Sequence, residues 1–352
     1  MKRLRDPRVW LGLGVTALSL WFAFRGVSWS ALGRELSRTN WWLLLGASVP
    51  AYLAALWLRA ERWRVLARGV AEVPTGAAFR ATAVGYLVNN ILPLRVGELV
   101  RVWWLAREIR ASAPALLGTV LLERVMDMVF LLGMASLVIG NEVGRGVLLA
   151  AALGPLVATL ALRRWPGPAL RLLHRVAGVV LSPQRTERVT GIAGAVAQGV
   201  AALRGGADFV RVTFLTGVIW GVASVIPFWA ALAALGIDLG GPLESFRAGA
   251  LVLVWVAAAV ALPAAPGFFG PYHAACRYAL APLGVPKELA LALGTLAHGV
   301  FWIGTNLIGL AVLRGGTQRL RDAVSGEQGR QALALALQVG KLVEERLARH
   351  GS

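Results

Sequence analysis

The sequence has little of what disulfide-stabilised proteins and soluble enzymes use. Cys276 is the single cysteine among 352 residues, so no disulfide can form within the chain and no cysteine metal cluster can be built. Only four histidines are present and they are scattered, and charged residues make up 15% of the chain. The sequence also lacks G-x-S-x-G, Walker A, H-E-x-x-H and nucleotide-binding glycine motifs. We therefore expect no metal site, no cofactor and no enzyme activity.

Apolar residues are what the sequence has in abundance. They account for 57% of the chain, the mean hydropathy is +0.65, and several apolar blocks approach the length that crosses a bilayer. This pattern predicts an all-α, polytopic helical membrane protein with about seven to nine membrane segments. The net charge of +18 comes from basic residues clustered at the ends of apolar blocks. That distribution is typical of the positive-inside rule, so we do not expect nucleic-acid binding.

The order of apolar and basic segments predicts two membrane halves and a tail. Residues 1–315 form the transmembrane domain, within which residues 163–208 are a basic cytoplasmic connector, and residues 316–352 form a basic amphipathic cytoplasmic tail. One span is expected from Trp41 to about Leu58, followed by cytoplasmic arginines. The charge distribution places the N-terminus and the C-terminus on the cytoplasmic side of the cell inner membrane.

Each half contains a short apolar piece interrupted by proline and glycine. The residues expected to break these helices are Pro93, Gly97, Pro266, Gly267 and Gly270. Proline removes a backbone donor and glycine permits a sharp turn, so each half contains a broken or re-entrant helix. Interruptions at matching positions of two halves are typical of inverted-repeat transporters, whose substrate sites lie at the broken helices.

The first break carries an unusual set of polar side chains. Arg95 and Arg101 flank Glu98 at the start of a helix, and Asn89 and Asn90 precede them. A helix N-terminus and a neighbouring guanidinium together suit an anionic lipid headgroup. In the alternative interpretation, Glu98 and Arg101 pair with each other across one helical turn and Arg95 contacts bulk lipid at the interface.

A second polar cluster lies within a long apolar helix predicted at residues 113–139. Glu123 and Asp127 are four residues apart and share one helix face, with Arg124 beside them. Charges inside a span should face the protein interior, because lipid does not solvate them. They either pair with the arginines of the first break to lock the hairpin, or take part in proton coupling or headgroup contact.

The second half offers two histidines as candidates for headgroup binding. His273 follows the second break, and His298 lies in the last long helix with Thr305 on nearly the same face. A histidine can titrate or hydrogen-bond a headgroup, although a lone buried histidine is often a contact between helices.

The sequence of both polar clusters resembles one family. The chain is similar to the flippase-like integral membrane family that matches the transmembrane region of lysylphosphatidylglycerol synthases, over about residues 5–315. The residues that match its motifs are Asn90, Pro93, Arg95, Gly97, Glu98, Arg101, Glu123, Arg124, Asp127, Pro266, Gly267 and Gly270. One departure is His273, which stands where the family usually has an acidic residue.

The resemblance implies translocation or handling of an anionic phospholipid or a polyprenyl-phosphate lipid. The synthases carry a soluble aminoacyl-transfer domain after the membrane region, whereas residues 316–352 are a short basic tail, so lysine transfer is not expected. The alternative is a membrane partner or component of glycosyl transfer onto polyprenyl-linked substrates. A homo-oligomer or a glycosyltransferase partner is compatible with both interpretations.

Overall fold

The computed structural model describes residues 7–92, 95–138, 164–202, 206–261 and 266–325, together with residues 144, 146–151, 153 and 157. The helices are α1 (Pro7–Phe24), α2 (Trp29–Ser37), α3 (Trp41–Ala67), α4 (Thr75–Ile91), α5 (Gly97–Glu108), α6 (Ala113–Val138), α7 (Pro166–Val180), α8 (Pro183–Ala201), α9 (Gly206–Val218), α10 (Ile226–Ala234), α11 (Pro242–Ala261), α12 (Pro271–Leu280) and α13 (Lys287–Ser325). A π-helical turn, Ile219–Ala223, joins α9 to α10. No β-strand occurs among these residues, which confirms the predicted all-α class.

Four of the described helical segments are long and apolar enough to cross a membrane. They are Trp41–Ala67, Gly206–Ala234, Pro242–Ala261 and Lys287–Gly315. At 1.5 Å per residue, a helix of about 20 residues matches the hydrocarbon thickness. The chain is therefore a helical membrane protein, but these four segments do not show the predicted count of seven to nine.

The end of α3 differs from the prediction. The helix begins after Asn40, whose side-chain oxygen accepts a backbone N–H of the first turn at 3.1 Å, but it continues past Leu58 to Ala67. Arg64 Nε donates to Glu61 at 2.7 Å within this extension, and a pair three residues apart supports the helix. The span predicted from Trp41 to about Leu58 is thus part of a longer helix, because the basic residues that follow are good helix formers.

The two largest apolar clusters of the described residues hold most of the helices together. One is formed by α3, α4, α5 and α6 and contains Trp63 and Leu105. The other is formed mainly by α10, α11, α12 and α13 and contains Phe228 and Leu293. The clusters correspond to an early and a late part of the chain, and helices from both line a central cavity.

The segment predicted as a connector contains two helices, and one of them packs closely on the membrane region. A Cβ added to Gly118 of α6 would collide with the carbonyl oxygen of Val196, and one added to Gly199 of α8 would collide with that of Ala115. The two backbones can approach this closely only because both positions are glycine. The segment is therefore a packed part of the fold, while its cytoplasmic position stays a prediction.

Both predicted helix breaks coincide with helix ends. The first lies between Ile91 and Gly97; Pro93 itself lies outside the described residues. Gly97 packs against Gly85. A Cβ on Gly97 would collide with the Gly85 carbonyl oxygen, so α4 and α5 come closest to each other at this point.

The second break is a short 3-10 helix, Pro266–Phe268, that precedes α12. Gly267 has a φ of 74° and Gly270 a φ of 94°, both in the left-handed region that glycine tolerates. Helix α13 runs through residue 315 to Ser325, and the rest of the predicted tail, residues 326–352, lies outside the described residues.

Candidate functional site

The candidate site contains a buried cluster of ion pairs between α3, α5 and α6. Its central residue is an arginine that the sequence analysis did not select. Arg62 of α3 has no exposed surface and lies 2.6 Å from Asp127 and 3.2 Å from Glu123, both on α6. Its guanidinium also donates to the Thr216 hydroxyl at 2.9 Å. Buried charges are tolerated only when they are paired and hydrogen-bonded, so Arg62 joins α3, α6 and α9 into one unit.

Arg101 connects α5 to this unit. Its guanidinium lies 2.7 Å from Glu98 and 3.3 Å from Glu123, and it lies over the Trp63 ring at 4.7 Å. The pair of Glu98 with Arg101, one of the two interpretations of the first break, is therefore present, and Glu123 is paired with an arginine of that break. Arg101 makes both contacts at once, because it is buried between the two carboxylates.

Arg124 completes the cluster from α6. It lies 2.6 Å from Glu123, 3.3 Å from Asp127 and 3.8 Å from Glu98. The cluster thus contains three arginines and three carboxylates, and their charges balance. The members are Arg62, Arg101, Arg124, Glu98, Glu123 and Asp127.

A cavity of about 170 Å³ lies beside this balanced cluster. The charged and amide side chains that line it are Arg59, Asn89, Asn90, Arg95, Glu98 and Arg124. Its apolar wall includes Leu56, Phe228, Leu253, Val256, Val260 and Phe301. One cavity therefore joins a cationic surface to an apolar one.

Arg59 and Arg95 add positive charge to this cavity and form no ion pair with a carboxylate of the described residues. Neither guanidinium has a carboxylate within 4.0 Å among the residues described. Arg59 donates to the Ser224 hydroxyl at 3.2 Å and lies 5.0 Å from the centre of the Trp220 ring. Arg95 lies 6.0 Å from the centre of the Phe268 ring. The prediction that Glu123 or Asp127 pairs with an arginine of the break is thus met by Arg101 and not by Arg95.

The two asparagines have different roles. Asn89 accepts the Gly97 backbone N–H at 2.8 Å, which ties the end of α4 to the start of α5. Asn90 is buried, and its amide donates to the Thr305 hydroxyl at 2.9 Å. Asn90 therefore joins the first half to α13, and both asparagines line the cavity.

The histidines of the second half are buried together. His273 and His298 are 6% and 2% exposed, and their ring centres lie 5.4 Å apart. His298 lines the cavity with Thr305, as their shared helix face predicted, whereas His273 packs behind it. Among the residues with described positions, no group of three or more His, Cys, Asp and Glu side chains could hold a metal ion.

Arg59 and Arg62 are the charged residues of the site that the sequence analysis missed. They follow an apolar block, where arginines usually mark the membrane interface. The signal that could have identified them is their spacing, because two residues three apart share one face of a continuing helix. The sequence analysis took the arginines after this span only as a marker of its cytoplasmic end, whereas the structure shows Arg62 wholly buried.

One comparison with known proteins identifies a family. A family model described as the lysylphosphatidylglycerol synthase TM region matches residues 9–309. No curated protein and no solved structure gave a significant match. The family model covers both helix breaks, the balanced cluster and the cavity. The chain therefore belongs to the lysylphosphatidylglycerol synthase transmembrane-region family.

Proposed function

We propose that the chain binds the phosphate of an anionic phospholipid or of a lipid-linked phosphate in the central cavity and moves the lipid across the bilayer. The main support for the proposal is the excess positive charge of the cavity lining. Arg62, Arg101 and Arg124 are neutralised by neighbouring carboxylates, whereas Arg59 and Arg95 have no carboxylate within 4.0 Å in the part of the chain that the structure describes. A phosphate group would supply the missing negative charge.

The chemistry of arginine suits this role. A guanidinium offers a planar set of donors that matches phosphate oxygens, and its charge persists at every physiological pH. The apolar walls that include Phe228 and Phe301 lower the local dielectric, which strengthens the attraction between guanidinium and phosphate. Free hydrogen-bond donors of Arg59 and Arg95 can therefore select a phosphate-bearing lipid over a neutral one.

The size of the cavity indicates which part of the lipid enters. Pockets that enclose a drug-sized molecule have volumes of about 300–1,000 Å³. The cavity here has about 170 Å³, so it accepts the phosphate and part of the headgroup. The hydrocarbon chains then stay in the bilayer, where no protein cavity is needed to shield them from water.

The two helix breaks support movement rather than static binding. Irregular backbone at membrane depth survives only where it is buried in protein or lines a polar cavity, and transporters place substrates at such breaks. We extend the proposal to seven to nine membrane segments in an inverted-repeat-like arrangement, with α4–α5 and α12 as the broken or re-entrant elements. The cell inner membrane, with both termini cytoplasmic, is the proposed location.

Reconstitution tests the proposal directly. Purified protein is inserted into liposomes that contain a fluorescent phospholipid or a labelled polyprenyl phosphate, and a membrane-impermeant quencher follows the exchange between leaflets. We expect exchange of a phosphate-bearing lipid faster than in protein-free liposomes, and no gain for labelled diacylglycerol. Equal rates with and without protein for every phosphate-bearing lipid would overturn translocation.

A further inference from the structure

The π-helical turn between α9 and α10 brings two side chains to Arg59. A hydrogen bond from the Ser224 backbone N–H to the Ile219 carbonyl oxygen, at 2.9 Å, closes the turn. Such turns are rare within helices and occur frequently at functional sites. Trp220 lies within the turn and Ser224 follows its last residue, and both line the cavity together with Arg59. The turn therefore forms part of the cavity wall at this arginine.

The indole of Trp220 is held at its edge and presents its face to Arg59. Its Nε1 donates to Asp127 Oδ1 at 2.7 Å, and the same oxygen accepts a hydrogen bond from Arg62 at 2.6 Å. The centre of the ring lies 5.0 Å from the Arg59 guanidinium. Since Asp127 belongs to the balanced cluster, that cluster fixes the indole, and the indole in turn supports Arg59.

Phe130 packs the same segment against α6. A Cβ added to Gly217 would lie 3.6 Å from the Phe130 ring, and one added to Gly221 would lie 3.4 Å from it. The ring therefore lies against the end of α9 and against the π-helical turn. Apolar packing and the hydrogen bond to Asp127 together fix the turn on α6.

We propose that Trp220 and Ser224 are positioning residues for Arg59, which hold its guanidinium in the cavity and leave its charge and most of its donors to a lipid phosphate. This inference rests on the proposed function, which assigns the phosphate to Arg59 and Arg95. A carboxylate at this place would neutralise the guanidinium and occupy its donors. An aromatic face attracts the cation without neutralising it, and the Ser224 hydroxyl takes only one of the five N–H groups.

Arg101 provides the contrast within the same protein. Its guanidinium also lies over an indole, that of Trp63 at 4.7 Å, but it is paired with Glu98 and Glu123 as well. The ring contact of Arg101 is thus added to ion pairs. Arg59 has an indole and a hydroxyl instead, with no carboxylate within 4.0 Å among the residues that the structure describes. This arrangement orients a cation and keeps it available for an anion from outside the chain.

A double-mutant cycle tests whether Trp220 acts through Arg59. The affinity of the full chain in detergent for phosphatidic acid is measured by native mass spectrometry for the wild type, Trp220→Leu, Arg59→Gln and the double variant. Loss of the ring contact is expected to weaken binding about two- to tenfold in Trp220→Leu. In the double variant, Trp220→Leu should add less than about a twofold loss to that of Arg59→Gln, because residues in contact are not additive. A purely structural role of Trp220 would reduce the affinity equally in both backgrounds.

Two milder variants accompany the cycle. Ser224→Ala removes only the hydroxyl and is expected to weaken phosphatidic acid binding about two- to tenfold. Trp220→Phe keeps an aromatic face and should bind more tightly than Trp220→Leu. Trp103→Leu is the matched control, because Trp103 lies 5.2 Å from the Arg107 guanidinium but outside the cavity, and it should bind as the wild type does. Melting temperatures in detergent identify any variant that does not fold, and Ser224→Ala then replaces Trp220→Leu in the cycle.

The outcomes separate this inference from the proposed function. If the folded Trp220→Leu and Ser224→Ala variants bind phosphatidic acid as the wild type does, the positioning role is wrong while phosphate binding stands. An equal loss from Trp220→Leu with and without Arg59→Gln would also overturn it, and equal losses in Trp220→Leu and Trp220→Phe would contradict positioning by the ring. If the wild type does not prefer phosphatidic acid to diacylglycerol, the proposed function fails and this inference fails with it.

Discussion

The guanidinium of Arg95 lies 6.0 Å from the centre of the Phe268 ring. Arg95 belongs to the first helix break and Phe268 to the second, and both have left-handed backbone, with φ values of 54° and 58°. This region is unfavourable for residues other than glycine, and such conformations are concentrated at binding sites. The two breaks therefore meet at one cavity wall, where backbone strain and unbalanced positive charge coincide.

The buried cluster predicts a large loss of stability for Arg62→Met. Removing one partner of a buried ion pair leaves uncompensated charge and destabilises by about 3–5 kcal/mol. Asp127 and Glu123 would both lose Arg62 as a neighbour. Thermal or denaturant unfolding in detergent measures the change.

Arg64→Met on the same helix is the matched control. Arg64 is partly exposed, and its partner Glu61 keeps a second arginine, Arg211, at 2.5 Å. Its loss should change stability by at most about 1 kcal/mol. Similar melting temperatures for the Arg62→Met and Arg64→Met variants would show that the buried cluster does not hold α3 to α6.

The close approach within the α4–α5 hairpin predicts that Gly97→Ala is destabilising. A Cβ at this position would meet the Gly85 carbonyl oxygen and the Asn89 side chain, and overpacking of this kind costs about 1–3 kcal/mol. Gly133→Ala is the comparison, because nothing lies within 4 Å of a Cβ there. Melting curves should separate the two alanine variants, and a stable Gly97→Ala would contradict the hairpin geometry.

The contact of α6 with α8 predicts a second difference between glycines. Gly199→Val should separate the helices, since the new side chain would enter the Ala115 backbone. Gly191→Val on the same helix has open space and should change stability little. Limited proteolysis between α7 and α8 provides the measurement: faster cleavage is expected for Gly199→Val alone. Equal cleavage of both variants would mean that α8 is not held by this contact.

The sequence predicted much of the local structure and part of the site. Proline and glycine disrupt helices through their own backbone chemistry, so the two breaks could be located from residue type. Glu123 and Asp127 share a helix face by spacing alone, so their common environment was also predictable. Their common partner, Arg62, was not.

The reason lies in tertiary contacts. An arginine after an apolar block has the same local pattern whether it anchors in lipid headgroups or turns inward to a carboxylate on another helix. The role of Arg62 becomes clear only from its contact with Asp127 at 2.6 Å, because Asp127 is far from Arg62 in the sequence. The same applies to His273 and His298, which were candidates of equal rank although only His298 lines the cavity.

The most direct test of phosphate binding is the affinity for phosphatidic acid relative to diacylglycerol, measured by native mass spectrometry. The proteins compared are the wild-type chain and the variants Arg59→Gln, Arg95→Gln and Arg185→Gln. Arg185 is exposed on α8, away from the cavity, so its variant is the control. A charge-assisted hydrogen bond is worth roughly 1.5–3 kcal/mol, so Arg59→Gln and Arg95→Gln should each weaken phosphatidic acid binding about tenfold or more. Arg185→Gln should bind as the wild type does. Unchanged binding in folded Arg59→Gln and Arg95→Gln proteins would contradict the central claim that these two arginines hold the lipid phosphate.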